Sequence, residues 1–221
     1  MMSMFRAILY AQWKWSRLIV VLGTVAGFAI PLLSLQGAAR ADRGALQAQE
    51  LLRAVQSWGS LYPLLAAALG LLMAIAAWAA DHRGRHIHAL TLPISRWRYV
   101  LLRFVAGAVL LVAPMLAVLA GASLAVLFAT LPAGLQAYPF ALALRFALAV
   151  LVAFAVFFAI SAGTARTAGI VLSGVAVVIL VQVVANIANI ELDLPGVFQV
   201  VLLQGPGPLA VFTGRWMLVD V

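Results

Sequence analysis

The chain has 221 residues, of which 66% are hydrophobic and only 9% are charged. A soluble domain carries about a quarter charged residues, so this composition excludes an ordinary water-soluble fold and requires apolar segments that face lipid. The formal net charge of +8 lies in short segments between apolar runs. That distribution is typical of cytoplasmic loops beside an anionic leaflet, and it argues against a nucleic-acid-binding domain. The sequence has no cysteine, which excludes disulfides and a thiolate nucleophile.

The first segment, residues 1–17, is predicted to be an interfacial helix on the cytoplasmic leaflet. Its apolar and polar side chains occupy separate helical faces, with Phe5, Ile8, Leu9 and Trp13 on one and Arg6, Tyr10 and Lys14 on the other. The alternative is a plain N-terminal extension of the first span. The apolar run that follows is too long for a signal-peptide core, so we expect it to stay in the mature protein.

Five apolar runs without Asp, Glu, Lys or Arg are long enough to cross a bilayer, which takes about 20 residues. They are residues 18–39, 61–80, 104–131, 146–165 and 167–190. Residues 191–215 are also apolar but contain Pro195 and the run Gly205-Pro206-Gly207-Pro208, so they are predicted to re-enter the outer leaflet as a broken segment. Residues 216–221 are predicted to start a sixth, truncated span. The predicted fold class is therefore an all-α, polytopic transmembrane helix bundle.

The basic residues predict the orientation of this bundle. With the N-terminus in the cytoplasm, five spans leave one acid, Asp81, on the cytoplasmic side among the basic residues Arg6, Lys14, Arg17, Arg83, Arg85, Arg96, Arg98, Arg103 and Arg166. On the opposite side the charges balance: Arg40, Arg43, Arg53 and Arg145 against Asp42, Glu50, Glu191 and Asp193. This asymmetry predicts a multi-pass protein of the bacterial cytoplasmic membrane with a cytoplasmic N-terminus.

Small residues recur every four positions inside the predicted spans. The sets are Gly23 and Gly27; Ala117, Gly121 and Ala125; and Gly169 and Ser173. In lipid such residues let helix backbones approach closely, so they predict a tight bundle.

The loop after the second span, residues 81–99, is the segment most suited to binding a partner. It is polar and basic but keeps apolar residues, among which Ile87 and Leu90 share a helical face. Pro93 is expected to end a short helix, and Ser95 to cap the next one. A surface helix with apolar and basic faces is suited to a groove on a cytoplasmic protein.

The pattern of this loop resembles the permease subunits of type-two ABC transporters, the exporter class. The matching residues are Asp81, Gly84, Leu90, Leu92, Pro93, Ser95 and Arg96. The resemblance implies that the loop, including Ile87, is a coupling helix that docks on a separate ATP-binding-cassette ATPase subunit. It also implies a second permease copy or paralogue to complete the translocation pathway, in contact with membrane lipids.

By the same resemblance, the chain is not itself an enzyme and binds no cofactor, and ATP and Mg belong to the partner ATPase. The sequence agrees, because it contains no Gly-x-x-x-x-Gly-Lys-Ser/Thr phosphate loop and its single lysine is Lys14.

Two polar groups allow alternative interpretations. Gln182, Asn186 and Asn189 form one stripe on the fifth span, which either lines a translocation pathway or holds helices together by hydrogen bonds. His82, His86 and His88 do not share one face, so we interpret them as solvated polar residues instead of metal ligands.

Two other functions stay open beside the exporter permease: an intramembrane enzyme and a non-catalytic membrane scaffold. The five spans contain no Asp, Glu, His, Lys or Arg, which leaves acid–base chemistry no group at bilayer depth. A scaffold would explain the apolar spans but not the basic loop.

Overall fold

A computed structural model describes residues 2–36, 52–53, 55–83, 95–129, 135–162, 177, 181, 209–213 and 216–220. Its helices are α1 (Met2–Gln36), α2 (Leu61–Arg83), α3 (Arg96–Phe128) and α4 (Pro139–Ala162), and a 3₁₀ turn covers Ala210–Phe212. Two short strands, β1 (Gln136–Ala137) and β2 (Val219–Asp220), pair with each other.

Four helical segments among these residues are long and apolar enough to cross a membrane: Met4–Leu35, Val55–Ala79, Arg96–Phe128 and Pro139–Ala162. This finding is compatible with a multi-pass membrane protein built from helices. The predicted fifth span, residues 167–190, lies outside the described part of the chain except for Val177 and Val181, so it stays a prediction.

Contacts between the helices show that α1, α2, α3 and α4 alternate in direction. Near the start of α1, Gln12 lines a cavity with Ala77 of α2 and Arg103 of α3. Further along α1, Gly23 faces Leu69, which precedes Ala77 on α2, and Gly27 faces Val118, which follows Arg103 on α3. Helix α1 therefore runs antiparallel to α2 and parallel to α3. Helix α4 runs parallel to α2, because Gly70 faces Ala153 and the Trp78 ring contacts that of Phe158. One end of the bundle thus holds the starts of α1 and α3 and the end of α2.

Helix α1 is continuous across residue 17, where the sequence predicts a boundary between an interfacial helix and a span. Residues 2–17 contain neither Gly nor Pro, so nothing in them interrupts the helix. Residues 2–17 are thus helical and continuous with the first span, while their position along the cytoplasmic leaflet stays a prediction. At about 50 Å for its 35 residues, α1 is longer than the hydrocarbon core of about 30 Å.

Helix α3 begins at Arg96, which agrees with the predicted cap at Ser95, although the apolar run that predicts the span begins only at residue 104. Helix α4 begins at Pro139, earlier than the predicted span at residue 146. The prediction counted apolar residues only, and it therefore stopped at Arg103 and Arg145. Backbone hydrogen bonds continue through such residues, because arginine is a good helix former and its long side chain can carry its charge to the head groups.

Glycines bring helix backbones into contact, as the spacing of small residues predicts. A Cβ placed on Gly121 would collide with the carbonyl oxygen of Phe28, and one on Gly27 would stand 3.1 Å from the carbonyl oxygen of Pro114. Both contacts join α1 to α3, the pair that packs more extensively than α1 and α2. A third approach joins α2 to α4, where a Cβ on Gly70 would lie 2.6 Å from the backbone nitrogen of Phe154.

The expectation that residues 216–221 start a spanning helix is wrong for the described residues of this segment. Val219 and Asp220 form β2, paired antiparallel with Ala137 and Gln136. The backbone N–H of Tyr138 donates to the carbonyl of Leu218 at 2.9 Å. The first turn of a helix restricts several residues for one hydrogen bond. This segment instead makes backbone hydrogen bonds to the β1 region.

The chain divides into two compact units, of which the first holds Met1–Phe158 with Arg215–Val221 and the second holds Ala159–Gly214. In the second unit the 3₁₀ turn closes through Thr213, whose N–H and hydroxyl both donate to the carbonyl of Ala210, at 3.1 and 2.9 Å. Within the predicted re-entrant segment, residues 191–215, the structure describes residues 209–213, which are this turn and its two flanking residues.

Candidate functional site

A cavity of about 270 Å³ lies in the first unit, where the start of α1 meets the end of α2 and the start of α3. Its described walls are mostly apolar, and the lining residues are Met4, Ala7, Ile8, Ala11, Gln12, Trp15, Ala76, Ala77, Tyr99 and Arg103. The cavity opens to the surface of the bundle. We call it the Arg103 cavity.

Arg103 is a buried cation, with only 9% of its surface exposed. Its guanidinium lies 5.0 Å from the ring centroid of Tyr99 and 5.3 Å from that of Trp78. Tyr99 stands one helical turn before Arg103 on α3, and Trp78 comes from the last part of α2. The two rings attract the positive charge through their negative faces and hold the arginine at the cavity.

An aromatic cluster supports this position of Trp78. The rings of Trp78 and Phe158 lie 5.1 Å apart, and Phe104 stacks on Phe154 at 5.2 Å. Phe158 contacts both Phe104 and Phe154 at 5.4 Å. Since these rings come from α2, α3 and α4, the cluster fixes three helices behind the cation–π contact.

Gln12 also lines the cavity and is only 5% exposed, but both of its amide atoms are fully buried. Among the described residues, neither Nε2 nor Oε1 of Gln12 has a hydrogen-bond partner. The nearby hydroxyl of Ser16 instead donates to the backbone carbonyl of Gln12 at 2.9 Å. The amide sits against Gly107, where a Cβ would stand 3.1 Å from Nε2. Burying an amide without a partner costs free energy, so Gln12 destabilises this part of the bundle.

The chemistry that these residues offer is binding. A guanidinium supplies positive charge and N–H donors, and an amide supplies both donors and an acceptor. The guanidinium already contacts two rings and the amide atoms are buried, so the accessible wall of the cavity is mostly apolar.

The predicted coupling residues are described in part. Asp81 lies in the last turn of α2, Ser95 is the N-cap residue of α3, and Arg96 is the first residue of α3. The carbonyl of Ser95 accepts from the N–H groups of Arg98 and Tyr99 at 3.0 and 3.2 Å, but its side chain forms no capping bond. The prediction of the cap position is therefore confirmed, and that of a side-chain cap is wrong. Five residues of the predicted coupling loop lie outside the described residues: Gly84, Ile87, Leu90, Leu92 and Pro93.

The predicted pathway stripe, Gln182, Asn186 and Asn189, also lies outside the described residues. The same holds for His86 and His88, while His82 lies within α2. Among the described residues there is no group of three or more His, Cys, Asp or Glu side chains that could hold a metal ion.

Sequence reasoning missed Gln12 and Tyr99 and counted Arg103 only as a loop charge. One signal was present: Gln12 and Ser16 are polar residues one helical turn apart on the segment that leads into the first span. The meeting of Gln12 with Arg103 depends on how three helices pack, which spacing along the chain does not reveal.

The opposite end of the bundle carries a second cluster, centred on Trp216. The Trp216 ring stacks on that of buried Tyr62 with centroids 6.2 Å apart, and the Arg145 guanidinium lies 4.5 Å from its centroid. This cluster ties the segment that carries β2 to α2 and α4.

Comparison with protein-family models, with curated proteins and with solved structures finds no significant match to this chain.

Proposed function

We propose that this chain is the membrane-spanning permease subunit of an ATP-driven exporter of the type-two ABC class. In this proposal the chain forms half of a translocation pathway and hydrolyses nothing itself. A separate ATPase subunit binds ATP and Mg, and a second permease copy or paralogue supplies the other half of the pathway.

The observation that supports the proposal is that α2 ends and α3 begins at the basic end of the bundle. Because the helices alternate, α2 ends and α3 begins at the end that also holds the start of α1. That end carries Arg6, Lys14 and Arg17 on α1 and Arg96, Arg98 and Arg103 on α3. The acid-x-x-Gly and Leu-Pro-Ile-Ser-Arg pattern of residues 81–96 belongs to the connection between these helices.

The charge supports a cytoplasmic position for this end. The described basic residues at the opposite end are Arg53 and Arg145, and Asp220 lies there as well. Excess positive charge marks the cytoplasmic side of a membrane protein, which is the side where an ATPase can bind ATP. Closure of the ATPase subunits would then move this end of the bundle and rock the two permease halves against each other.

The first experiment is a pull-down of this chain from its native membrane in mild detergent, with the bound proteins identified and assayed for ATP hydrolysis. We expect a stoichiometric ATPase subunit. In the double variant L90D/L92D, the ATPase should be lost while membrane insertion is kept, because two charges replace the apolar contacts of the docking helix.

The matched control is H88D, which adds a carboxylate to the same loop without removing an apolar residue. It should keep the ATPase at close to the wild-type level. Retention of the ATPase by L90D/L92D would refute the coupling role of the loop. A folded chain without any ATPase would favour the membrane scaffold, and a bound substrate turned over without ATP would favour the intramembrane enzyme.

A further inference from the structure

We propose that residues 216–220 form a latch that closes the end of the bundle opposite the basic end, and that this latch opens while the helices stay folded. The latch carries β2, and it joins α2 to α4 when it is closed. The contacts that carry this proposal lie within the first compact unit. The proposal therefore does not depend on the exporter function.

Trp216 attaches the latch to α2. Its ring stacks on that of Tyr62 in the first turn of α2, with centroids 6.2 Å apart and ring planes 12° from parallel. The backbone of the latch also approaches closely, since a Cβ on Gly59, just before α2, would collide with the carbonyl oxygen of Trp216. Only 4% of Trp216 is exposed, so the closed latch buries its indole in the bundle.

Backbone hydrogen bonds and Arg145 attach the latch to the start of α4. Strand β2 pairs with β1, and the N–H of Tyr138, directly before α4, donates to the carbonyl of Leu218 at 2.9 Å. The Arg145 guanidinium lies 4.5 Å from the centroid of the Trp216 ring, which is a cation–π distance. Leu218 and Val219 are fully buried. The latch thus covers apolar surface at this end and holds the starts of α2 and α4 together.

The indole N–H of Trp216 weakens the closed state. Among the described residues, this buried donor has no hydrogen-bond partner. Burying a donor without a partner costs free energy, which is recovered when the group returns to water or to lipid head groups. A released tryptophan is also favourable at head-group depth, because its ring is apolar and its N–H is polar.

The latch does not pack tightly against the start of α4. A cavity of about 210 Å³ lies between them, and its lining includes Tyr138, Leu142, Arg145, Trp216, Met217 and Asp220. The strand pair is also short, because β1 and β2 have two residues each. Segments with loose packing and few hydrogen bonds open locally at a much lower free energy than the whole fold.

Opening of the latch leaves the helices intact. Its backbone hydrogen bonds in the described part of the chain go to β1 and Tyr138, which lie outside α4. Release therefore frees the starts of α2 and α4 from each other without breaking a hydrogen bond inside either helix.

Rates of cysteine labelling in lipid nanodiscs test the proposal, since the chain has no cysteine of its own. A small, water-soluble thiol reagent is applied to three variants. M217C places the thiol on a partly exposed position of the latch, L218C on a fully buried one, and S34C on a buried position of α1 at the same end. We expect M217C to react first, L218C to react completely but at least about tenfold more slowly, and S34C to stay unmodified.

A second measurement keeps both Trp216 and Leu218. In A137C/V219C the two cysteines are direct partners in the strand pair, so oxidation locks the latch with a disulfide. Exchange of the Tyr138 N–H with deuterium should be at least about tenfold slower in the oxidised form than in the reduced form. Exchange of the Val150 N–H, inside α4, should be equal in the two forms and serves as the control.

Three results would overturn the proposal. Protection of L218C equal to that of S34C, or equal exchange of the Tyr138 N–H in both forms of A137C/V219C, would show that the segment stays closed. Equal labelling rates for L218C and M217C would show that the latch does not close. Labelling of S34C together with L218C would show that this whole end of the bundle loosens, and not the latch alone.

Discussion

Arg103 shows how a charged side chain is accommodated at the end of an apolar helix. Its stem is buried by the helices, and its guanidinium lies between the rings of Tyr99 and Trp78. Such contacts contribute about 0.5–2 kcal/mol each, the higher value when they are shielded from water. The arginine is thereby held in the cavity wall, where a freely mobile side chain would extend toward the head groups.

Gln12 is a buried polar residue whose amide lowers the stability of the bundle. In Q12L an apolar side chain of similar size replaces an amide without partners among the described residues, so the protein should be more stable by about 1 kcal/mol.

Thermal melting in mild detergent measures this effect on stability. S16A serves as the control, because it removes a hydroxyl of the same helix whose hydrogen bond to Gln12 is local. A Q12L protein that is less stable than the wild type would contradict this account of the amide.

At the scale of the helices, the sequence predicts the presence of a helix more accurately than the residues where that helix begins and ends. Apolar runs indicate where α2, α3 and α4 lie, since only helices satisfy their own backbone groups in lipid. The early start of α4 and the continuity of α1 follow from backbone propensity, which an apolar count does not measure. The cap position of Ser95, by contrast, predicts the start of α3. The pairing of β2 with β1 could not be predicted, because it depends on contacts between residues that lie far apart along the chain.

Gly70 provides the test of helix packing. G70L should lower the free energy of unfolding by about 1–3 kcal/mol, because its side chain would meet Ala153 and the backbone of Phe154 on α4. A68L places the same side chain on an exposed position of α2 and should have little effect. Equal melting temperatures for the two variants would contradict the close approach of α2 and α4.

At the scale of the whole molecule, the distribution of basic residues agrees with the directions of the helices. The alternation of α1 to α4 brings together basic residues that are far apart in the sequence, such as Lys14 and Arg98. Counting charges predicts which segments share a side of the membrane. Contacts such as that of Gly27 with Val118 show helix directions that bring the described basic segments to one end of the bundle. The Arg103 cavity could not be predicted in this way, since it arises from three helices packed at one end.

The central claim is that the basic end of the bundle, with the loop between α2 and α3, lies in the cytoplasm, where an ATPase can dock. The chain has no cysteine, so single-cysteine variants can be labelled without background. His88→Cys lies in the loop by sequence, and Tyr138→Cys replaces a side chain 42% exposed next to β1.

The decisive measurement is labelling of these two variants in spheroplasts with a maleimide that does not cross membranes. The account predicts that Tyr138→Cys reacts at once, whereas His88→Cys reacts only after the membrane is permeabilised. Labelling of His88→Cys in sealed spheroplasts, with Tyr138→Cys protected, would place the loop outside the cell and contradict both the orientation and the exporter proposal.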